Sequence, residues 1–207
     1  MRNYIHNIYV IVGTVFCDIC LMWWKIRDKI NPPKTNAVLF VAHPDDDTLF
    51  FHTFIKEYKP YVCLMTTGWS LRRLPCFVKA MKSYGVQYRA YPFMPKGKQV
   101  ALLKKHVDEV LKIHSFDIVA THNENGEYGH EEHTLIHQVV KKVVCNQNAR
   151  IKMYCPVDKM VLLKYPLSET SIKEKKVIFK TMYVTESWVL DENKVWIENE
   201  KLEEITI

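Results

Sequence analysis

A chain of 207 residues, of which 48% are hydrophobic and 25% charged, is long enough for one globular domain and contains no low-complexity segment. The net charge of +6 is modest and forms no basic stripe, which argues against a nucleic-acid partner. Six cysteines without a framework spacing argue against a disulfide-rich protein and favour reduced thiols.

Residues 1–30 are predicted to form an N-terminal hydrophobic helix that anchors the chain to a membrane. Residues 8–24 are nearly all apolar, with Asp18 the only charge, and a tryptophan pair followed by three basic residues resembles an interfacial belt. The positive-inside rule then leaves the main domain facing the cytoplasm. The alternative is a packed or amphipathic helix on a soluble cytoplasmic protein, because Asp18 would be costly in lipid.

A linker at residues 31–36 is expected to precede a single domain of residues 37–207. The apolar run at residues 37–42 is typical of a strand buried on both faces of a parallel sheet, and Pro44 ends it. The strand leads directly into a His-Pro-Asp-Asp-Asp motif at residues 43–47. Open α/β sheets bind ligands past the carboxyl ends of their strands, so this motif lies where a site is expected.

Strands and helices are predicted to alternate along the rest of the chain, which indicates an α/β, Rossmann-like three-layer domain with a mostly parallel sheet. Helices are predicted at residues 48–57, 99–114, 131–144 and 171–182, and strands at residues 61–66, 87–91, 117–121, 151–155 and 160–165. Residues 67–70 and 92–97 are predicted loops, and residues 188–207 alternate weakly, which favours a hairpin. His106 and His114 lie on a predicted helix without metal-like neighbours and are interpreted as structural.

A second cluster of polar residues follows the strand predicted at residues 117–121. Residues 122–133 read His-Asn-Glu-Asn-Gly-Glu-Tyr-Gly-His-Glu-Glu-His. His130 and His133 are three residues apart at the start of the next helix, so they share a face. Two strand ends that carry His-x-x-Asp and His-x-x-His can supply three metal ligands and leave one position open, as catalytic zinc sites do.

Both motifs resemble those of the LmbE/PIG-L family of zinc-dependent N-deacetylases. Residues 42–47, Ala-His-Pro-Asp-Asp-Asp, are similar to the family's Ala-His-Pro-Asp-Asp-Glu, and residues 129–133, Gly-His-Glu-Glu-His, to its Gly-His-Pro-Asp-His. The likeness covers about residues 37–142. It implies removal of the N-acetyl group from a substrate that contains N-acetylglucosamine, either lipid- or phosphate-linked or a soluble conjugate, with release of acetate and a free amine.

The resemblance also implies a role for each motif residue. His43, Asp46 and His133 would be the zinc ligands. Asp45 would be the general base, taking a proton from a water molecule that zinc has made more acidic.

Further site residues surround this set. By resemblance, His130 and Tyr128 would stabilise the oxyanion of the tetrahedral intermediate. From its position in a loop at a strand end, Trp69 either stacks on a sugar ring or packs within the protein. Arg72 either binds a phosphate or hydroxyls of the substrate, or only begins a helix.

Several positions depart from the family's pattern. Asp47 replaces the usual glutamate and is interpreted as orienting neighbouring side chains or capping the next helix. Glu132 stands in place of an aspartate and either orients His130 or has no role. Glu127 is interpreted as a surface charge of the loop. His122 either supports a metal ligand through a hydrogen bond or has no role in the site.

Two other classes of function stay open. The three carboxylates of residues 45–47 also match the Asp-x-Asp pattern with which glycosyltransferases bind a divalent metal, although that interpretation gives no reason for His43 or His133. A glycan-binding relative without catalysis is the other alternative, because several positions depart from the family's pattern.

Overall fold

A computed structural model describes residues 18–66, 72–91, 99–147 and 150–207. The strands are β1 (Ala37–Val41), β2 (Tyr61–Leu64), β3 (Tyr88–Ala90), β4 (Ile118–Thr121), β5 (Lys152–Pro156) and β6 (Leu202–Ile205). They form one sheet in the order β3-β2-β1-β4-β5-β6, in which β1 to β5 are parallel and β6 runs antiparallel to β5. The prediction of an α/β fold with a mostly parallel sheet is confirmed.

The helices follow the strands in alternation through most of the chain. Their bounds are residues 18–30 (α1), Asp46–Tyr58 (α2), Arg73–Tyr84 (α3), Gln99–Ile113 (α4), Gly126–Gly129 (α5), Glu131–Cys145 (α6), Lys159–Leu162 (α7), Glu169–Thr181 (α8), Val189–Glu192 (α9) and Lys194–Glu198 (α10). A 3₁₀-helix at Val184–Glu186 connects α8 to α9. The predicted loops at residues 67–70 and 92–97 lie outside the described residues.

The position of β1 explains where a site can form. Every residue of β1 and β2 is buried, as expected for central parallel strands covered on both faces. Along the chain, β1 is followed by β2 on one side, whereas β4 returns to its other side. In doubly wound sheets a cleft opens outside the carboxyl ends of the two strands where the order reverses. Both sequence motifs directly follow these two strands.

The described part of the N-terminal segment is packed against the domain. In α1, Leu21 and Trp24 are buried, and the Trp24 indole Nε1–H donates to the carbonyl of Ala90 at 2.9 Å. Asp28, also buried, forms an ion pair with the buried Arg89. The opposite face of α1 exposes apolar side chains (Ile19, Met22, Trp23, Ile26 and Ile30). The prediction of an N-terminal hydrophobic helix is therefore not supported, because α1 is amphipathic and carries a buried charge, which agrees with the alternative of a packed or amphipathic helix.

The predicted membrane localisation is corrected as well. Among the residues that the structure describes, no helix combines the length and the apolar character that crossing a bilayer requires. Charged side chains of α1 form ion pairs with α4, where Asp18 pairs with Lys105 at 2.5 Å and Lys25 with Glu109 at 2.9 Å. Residues 8–17 of the predicted anchor lie outside the described residues.

Two predictions near the C-terminus are corrected as well. Residues 160–165 form α7 and a turn instead of a strand, with amides of Val161 and Leu162 bonded to the carbonyl of Asp158. Met160 is 78% exposed, so this apolar run does not enter the sheet. The predicted hairpin at residues 188–207 forms α9, α10 and β6, and β6 pairs with β5. Weak alternation over so few residues does not distinguish a strand from a partly buried helical turn.

Candidate metal site at the carboxyl ends of β1 and β4

The acidic turn after β1 places three carboxylates at the start of α2, with Asp45 at its N-cap position and Asp46 and Asp47 in its first turn. Pro44 ends the strand, and Asp45 adopts a left-handed conformation with φ of 101°, which is unusual for a residue other than glycine. The backbone N–H of His43 donates to Asp46 Oδ2 at 2.7 Å, which fixes that carboxylate beneath the end of the strand. Backbone strain of this kind is concentrated at functional sites, where the surrounding structure holds it in place.

Three ligand atoms from the two motifs meet in a nearly equilateral triangle. His43 Nδ1 lies 3.4 Å from Asp46 Oδ2 and 3.3 Å from His133 Nε2, and the last two atoms are 3.3 Å apart. Four ligands placed tetrahedrally at the zinc–nitrogen bond length would be separated by about 3.3 to 3.4 Å. The spacing of the triangle therefore fits a tetrahedral metal ion with one further position.

Two overlapping groups of side chains could hold a metal ion. Asp46, His122 and His133 form one, all of them buried, and His43, His130 and His133 form the other. The triangle takes its atoms from both groups.

Carboxylates fix the orientation of the two histidines in the triangle. Glu132 Oε2 makes a short hydrogen bond with His43 Nε2, and Glu127 Oε2 accepts from His133 Nδ1 at 2.6 Å. A carboxylate can only accept, so the bonded nitrogen of each ring carries the proton. The lone pairs of His43 Nδ1 and His133 Nε2 are therefore directed towards Asp46.

His122 lies beside the triangle, but its ring nitrogens are already used. The Ala42 backbone N–H donates to His122 Nε2 at 2.9 Å, and His122 Nδ1 donates to Glu127 Oε2 at 3.1 Å. His122 Nε2 is also 3.4 Å from Asp46 Oδ2. Because its lone pair receives a backbone hydrogen bond, His122 is less suited to bind a metal than His43.

Neighbouring charges shift the pKa values of the two central carboxyls in opposite directions. Burial would raise the pKa of Asp46, but the adjacent histidines, His133 foremost, hold it well below its usual range. Burial and the charge of Asp46 raise the pKa of Asp45 well above its usual range. Arg73 opposes that rise and bonds to Asp45 Oδ1 at 3.1 Å. The ionised Asp46 is thus suited to bind a metal, and the neighbouring Asp45, with its raised pKa, is suited to accept a proton.

Asp47 faces away from this chemistry. It accepts hydrogen bonds from the Thr48 hydroxyl at 2.8 Å and from the Tyr183 hydroxyl at 2.5 Å. The predictions that it caps a helix or orients site residues are therefore wrong. Because Asp45 and Asp47 are bound to different partners within the protein, they do not form the free carboxylate pair that the glycosyltransferase interpretation needs.

The remaining predicted residues fall at different distances from the triangle. The His130 ring stacks on His133 with centroids 4.5 Å apart, and its Nδ1 accepts the backbone N–H of Glu132 at 3.3 Å. Burial and two neighbouring histidines lower the pKa of His130, so it is a neutral ring with a proton on Nε2. Tyr128 is half exposed, with its ring 5.6 Å from that of His133. Arg72 is exposed at the start of α3, and Trp69 lies outside the described residues.

Comparisons of the sequence with known proteins find one distant relative. No protein-family model matches the chain. An uncharacterized protein of Acanthamoeba polyphaga mimivirus is 23% identical over 128 residues, which is 52% of this chain and only 57% of that protein.

Two solved structures share the architecture. The conserved protein TT1542 from Thermus thermophilus aligns with a TM-score of 0.59 and 12% identity over 83% of this chain and 95% of its own. GalB, the 4-carboxy-2-hydroxymuconate hydratase from Pseudomonas putida, aligns with a TM-score of 0.56 and 14% identity over 83% of this chain and 96% of its own. Identities this low establish the fold alone, and GalB shows that an enzyme uses this fold.

Sequence reasoning missed the residues that support the triangle from behind. Glu127, predicted as a surface charge, is 6% exposed and bonds two histidines. Glu132 bonds His43 and not His130 through its side chain. A left-handed backbone at Glu127 is not visible in a sequence without an alignment, although its position directly after a glycine was a local signal.

Proposed function

We propose that this chain is a zinc-dependent N-deacetylase that hydrolyses the N-acetyl group of a substrate containing N-acetylglucosamine. The observation that carries the proposal is the triangle of His43, Asp46 and His133, with the Asp45 carboxyl adjacent to it. Two imidazole nitrogens and one carboxylate oxygen, with one position left open, are a ligand set typical of catalytic zinc. The likeness of both motifs to the LmbE/PIG-L family supports the same assignment and supplies the choice of substrate.

A zinc ion in the triangle would supply a Lewis acid, which lowers the pKa of water and polarises an acyl carbonyl. Asp45 would accept a proton, since its raised pKa brings it towards the range where a general base works best. His130 would donate its Nε2–H to the developing oxyanion, and the half-exposed Tyr128 hydroxyl would provide a second donor.

The first test is metal content by elemental analysis, comparing the full-length wild type, His133→Ala and the matched control His114→Ala. We expect about one zinc per chain in the wild type and the control, and a loss in His133→Ala, because a site with two remaining ligands binds weakly. A wild type without metal, or metal that is indifferent to His133, would overturn the proposal.

The second test measures amine release from a panel of N-acetylated sugars, including phosphate- and lipid-linked forms. We expect release by the zinc-loaded wild type and a loss of at least about 100-fold in Asp45→Asn. Zinc binding without amine release would leave two alternatives, which a further assay separates. Hydration of 4-carboxy-2-hydroxymuconate would indicate chemistry like that of GalB, and glycan binding without turnover would indicate a non-catalytic relative.

A further inference from the structure

Glu127 has a backbone conformation that glutamate rarely adopts. Its φ of 59° and ψ of −56° interrupt α5, and it follows Gly126, which also has a positive φ. Side chains other than glycine rarely adopt such a conformation unless the surrounding structure imposes it. The result is that a charged side chain turns inward and becomes fully buried.

The buried carboxylate of Glu127 has hydrogen-bond donors on both oxygens. Oε2 lies 2.6 Å from His133 Nδ1 and 3.1 Å from His122 Nδ1, and Oε1 accepts the Asn123 backbone N–H at 2.9 Å. The Asn123 side chain in turn accepts the backbone N–H of Glu127 at 2.8 Å. A buried polar network in which every member is satisfied holds its side chains in one arrangement.

His122 completes this network from the side of the sheet. It joins the Ala42 amide, at the end of β1, to Glu127 in the loop after β4. The two strand ends that supply the triangle are therefore connected through His122 and Glu127 before any metal binds.

From these contacts we infer that Glu127 is a positioning residue for the metal, with His122 as its support. Glu127 holds the proton of His133 on Nδ1, so that Nε2 is the free nitrogen, and a carboxylate behind a ligating imidazole also makes that nitrogen a stronger ligand. The inference rests on the proposed function in one respect, namely that the triangle binds a metal ion.

The test measures the zinc dissociation constant of the full chain by competition with a chromophoric chelator, and the visible spectrum of the cobalt-substituted protein. Glu127→Gln removes the charge with little change of size, and Glu124→Gln, on an exposed glutamate of the same loop, is the matched control. Loss of such a carboxylate partner weakens metal binding by about 10- to 100-fold. We expect that loss in Glu127→Gln, together with an altered cobalt spectrum, and no change in Glu124→Gln.

A second pair of variants separates positioning from stability. Glu127→Gly suits the positive φ and lacks the carboxylate, so it should fold and still bind zinc weakly. His122→Phe keeps a ring in place but removes the support, and a smaller weakening, about 3- to 10-fold, is expected. Zinc binding in Glu127→Gln within threefold of the wild type would overturn the inference while leaving the proposed function intact. Failure of both Glu127 variants to fold would overturn it as well, and a wild type that binds no zinc would remove both proposals.

Discussion

Arg73 joins Asp45 to Glu186. Its guanidinium donates from one nitrogen to Asp45 Oδ1 at 3.1 Å and to the Pro44 carbonyl at 2.8 Å, while Nε lies 2.8 Å from Glu186 Oε1. The 3₁₀-helix between α8 and α9 thereby fixes the proposed base from outside the two motifs. Arg73 is therefore used within the protein, whereas the preceding residue, Arg72, is exposed near the start of α3.

Replacing Glu186 by glutamine should lower kcat for the N-acetylated substrate by about 10- to 100-fold, because a base displaced by about 1 Å loses activity on this scale. KM and zinc content should change little, since neither the triangle nor the substrate loses a contact. The measurement is steady-state kinetics with parallel metal analysis, and Glu192→Gln, on an exposed residue of α9, serves as the control. An unchanged kcat would show that the position of Asp45 does not depend on the contact between Arg73 and Glu186.

Removing the Tyr183 hydroxyl should destabilise the protein without removing the metal. Asp47 is buried and bonded to two hydroxyls, so Tyr183→Phe leaves its carboxylate with one side-chain donor. The expected loss is about 1 to 3 kcal/mol in the free energy of unfolding, measured by urea denaturation. Tyr165→Phe, on a partly exposed tyrosine, should stay within about 0.5 kcal/mol of the wild type. Equal stability of both variants would count against a structural role for Asp47.

Local patterns in the sequence predicted the site residues that directly follow the ends of β1 and β4. The apolar run of β1, the stop at Pro44 and the spacing of His130 and His133 each have a local physical cause, so they could be read without coordinates. The strand order then brings the two motifs together.

Supporting contacts could not be predicted in the same way. Tyr183 contacts Asp47, and Glu186 contacts Arg73, although more than a hundred residues of sequence separate the partners in each pair. Contacts between such distant residues leave no periodic pattern in the sequence. The prediction of an N-terminal membrane helix failed for a related reason. The apolar composition of this segment indicated contact with lipid. The structure instead packs α1 on the domain through the buried Asp28, whose partner, Arg89, lies on a strand distant in sequence.

The Asp28–Arg89 pair offers a direct test of how α1 is held. Both side chains are fully buried; the Tyr61 hydroxyl donates to Asp28, and the Tyr91 hydroxyl accepts from Arg89. Asp28→Ala should cost about 3 to 5 kcal/mol, because it leaves an unpaired guanidinium in the interior. Asp18→Ala breaks the exposed pair with Lys105 and should cost no more than about 1 kcal/mol. Chemical denaturation followed by tryptophan fluorescence measures both, and similar costs for the two variants would contradict the packing of α1 described above.

His106 should make the fold sensitive to acid. Its ring is fully buried against Tyr91, with centroids 3.7 Å apart, and neither ring nitrogen has a hydrogen-bond partner among the described residues. Burial, reinforced by the positive charges of Arg89 and Lys105, lowers the pKa of His106 to about 3. In the unfolded chain the same group takes up a proton below about pH 6.5, whereas in the folded protein it stays neutral. The unfolded state therefore binds more protons between about pH 6.5 and 3, and stability is lost as the pH falls through that window.

The variant His106→Phe keeps the stacked ring and cannot take up a proton. Its free energy of unfolding, relative to the wild type, should increase as the pH falls, by up to about 1.4 kcal/mol per pH unit between pH 6 and 4. Urea denaturation at a series of pH values measures the difference, and values near pH 8 provide the baseline at which the histidine is neutral in both states. Parallel stability curves for the two proteins from pH 8 to pH 4 would show that the buried ring of His106 contributes nothing to acid sensitivity.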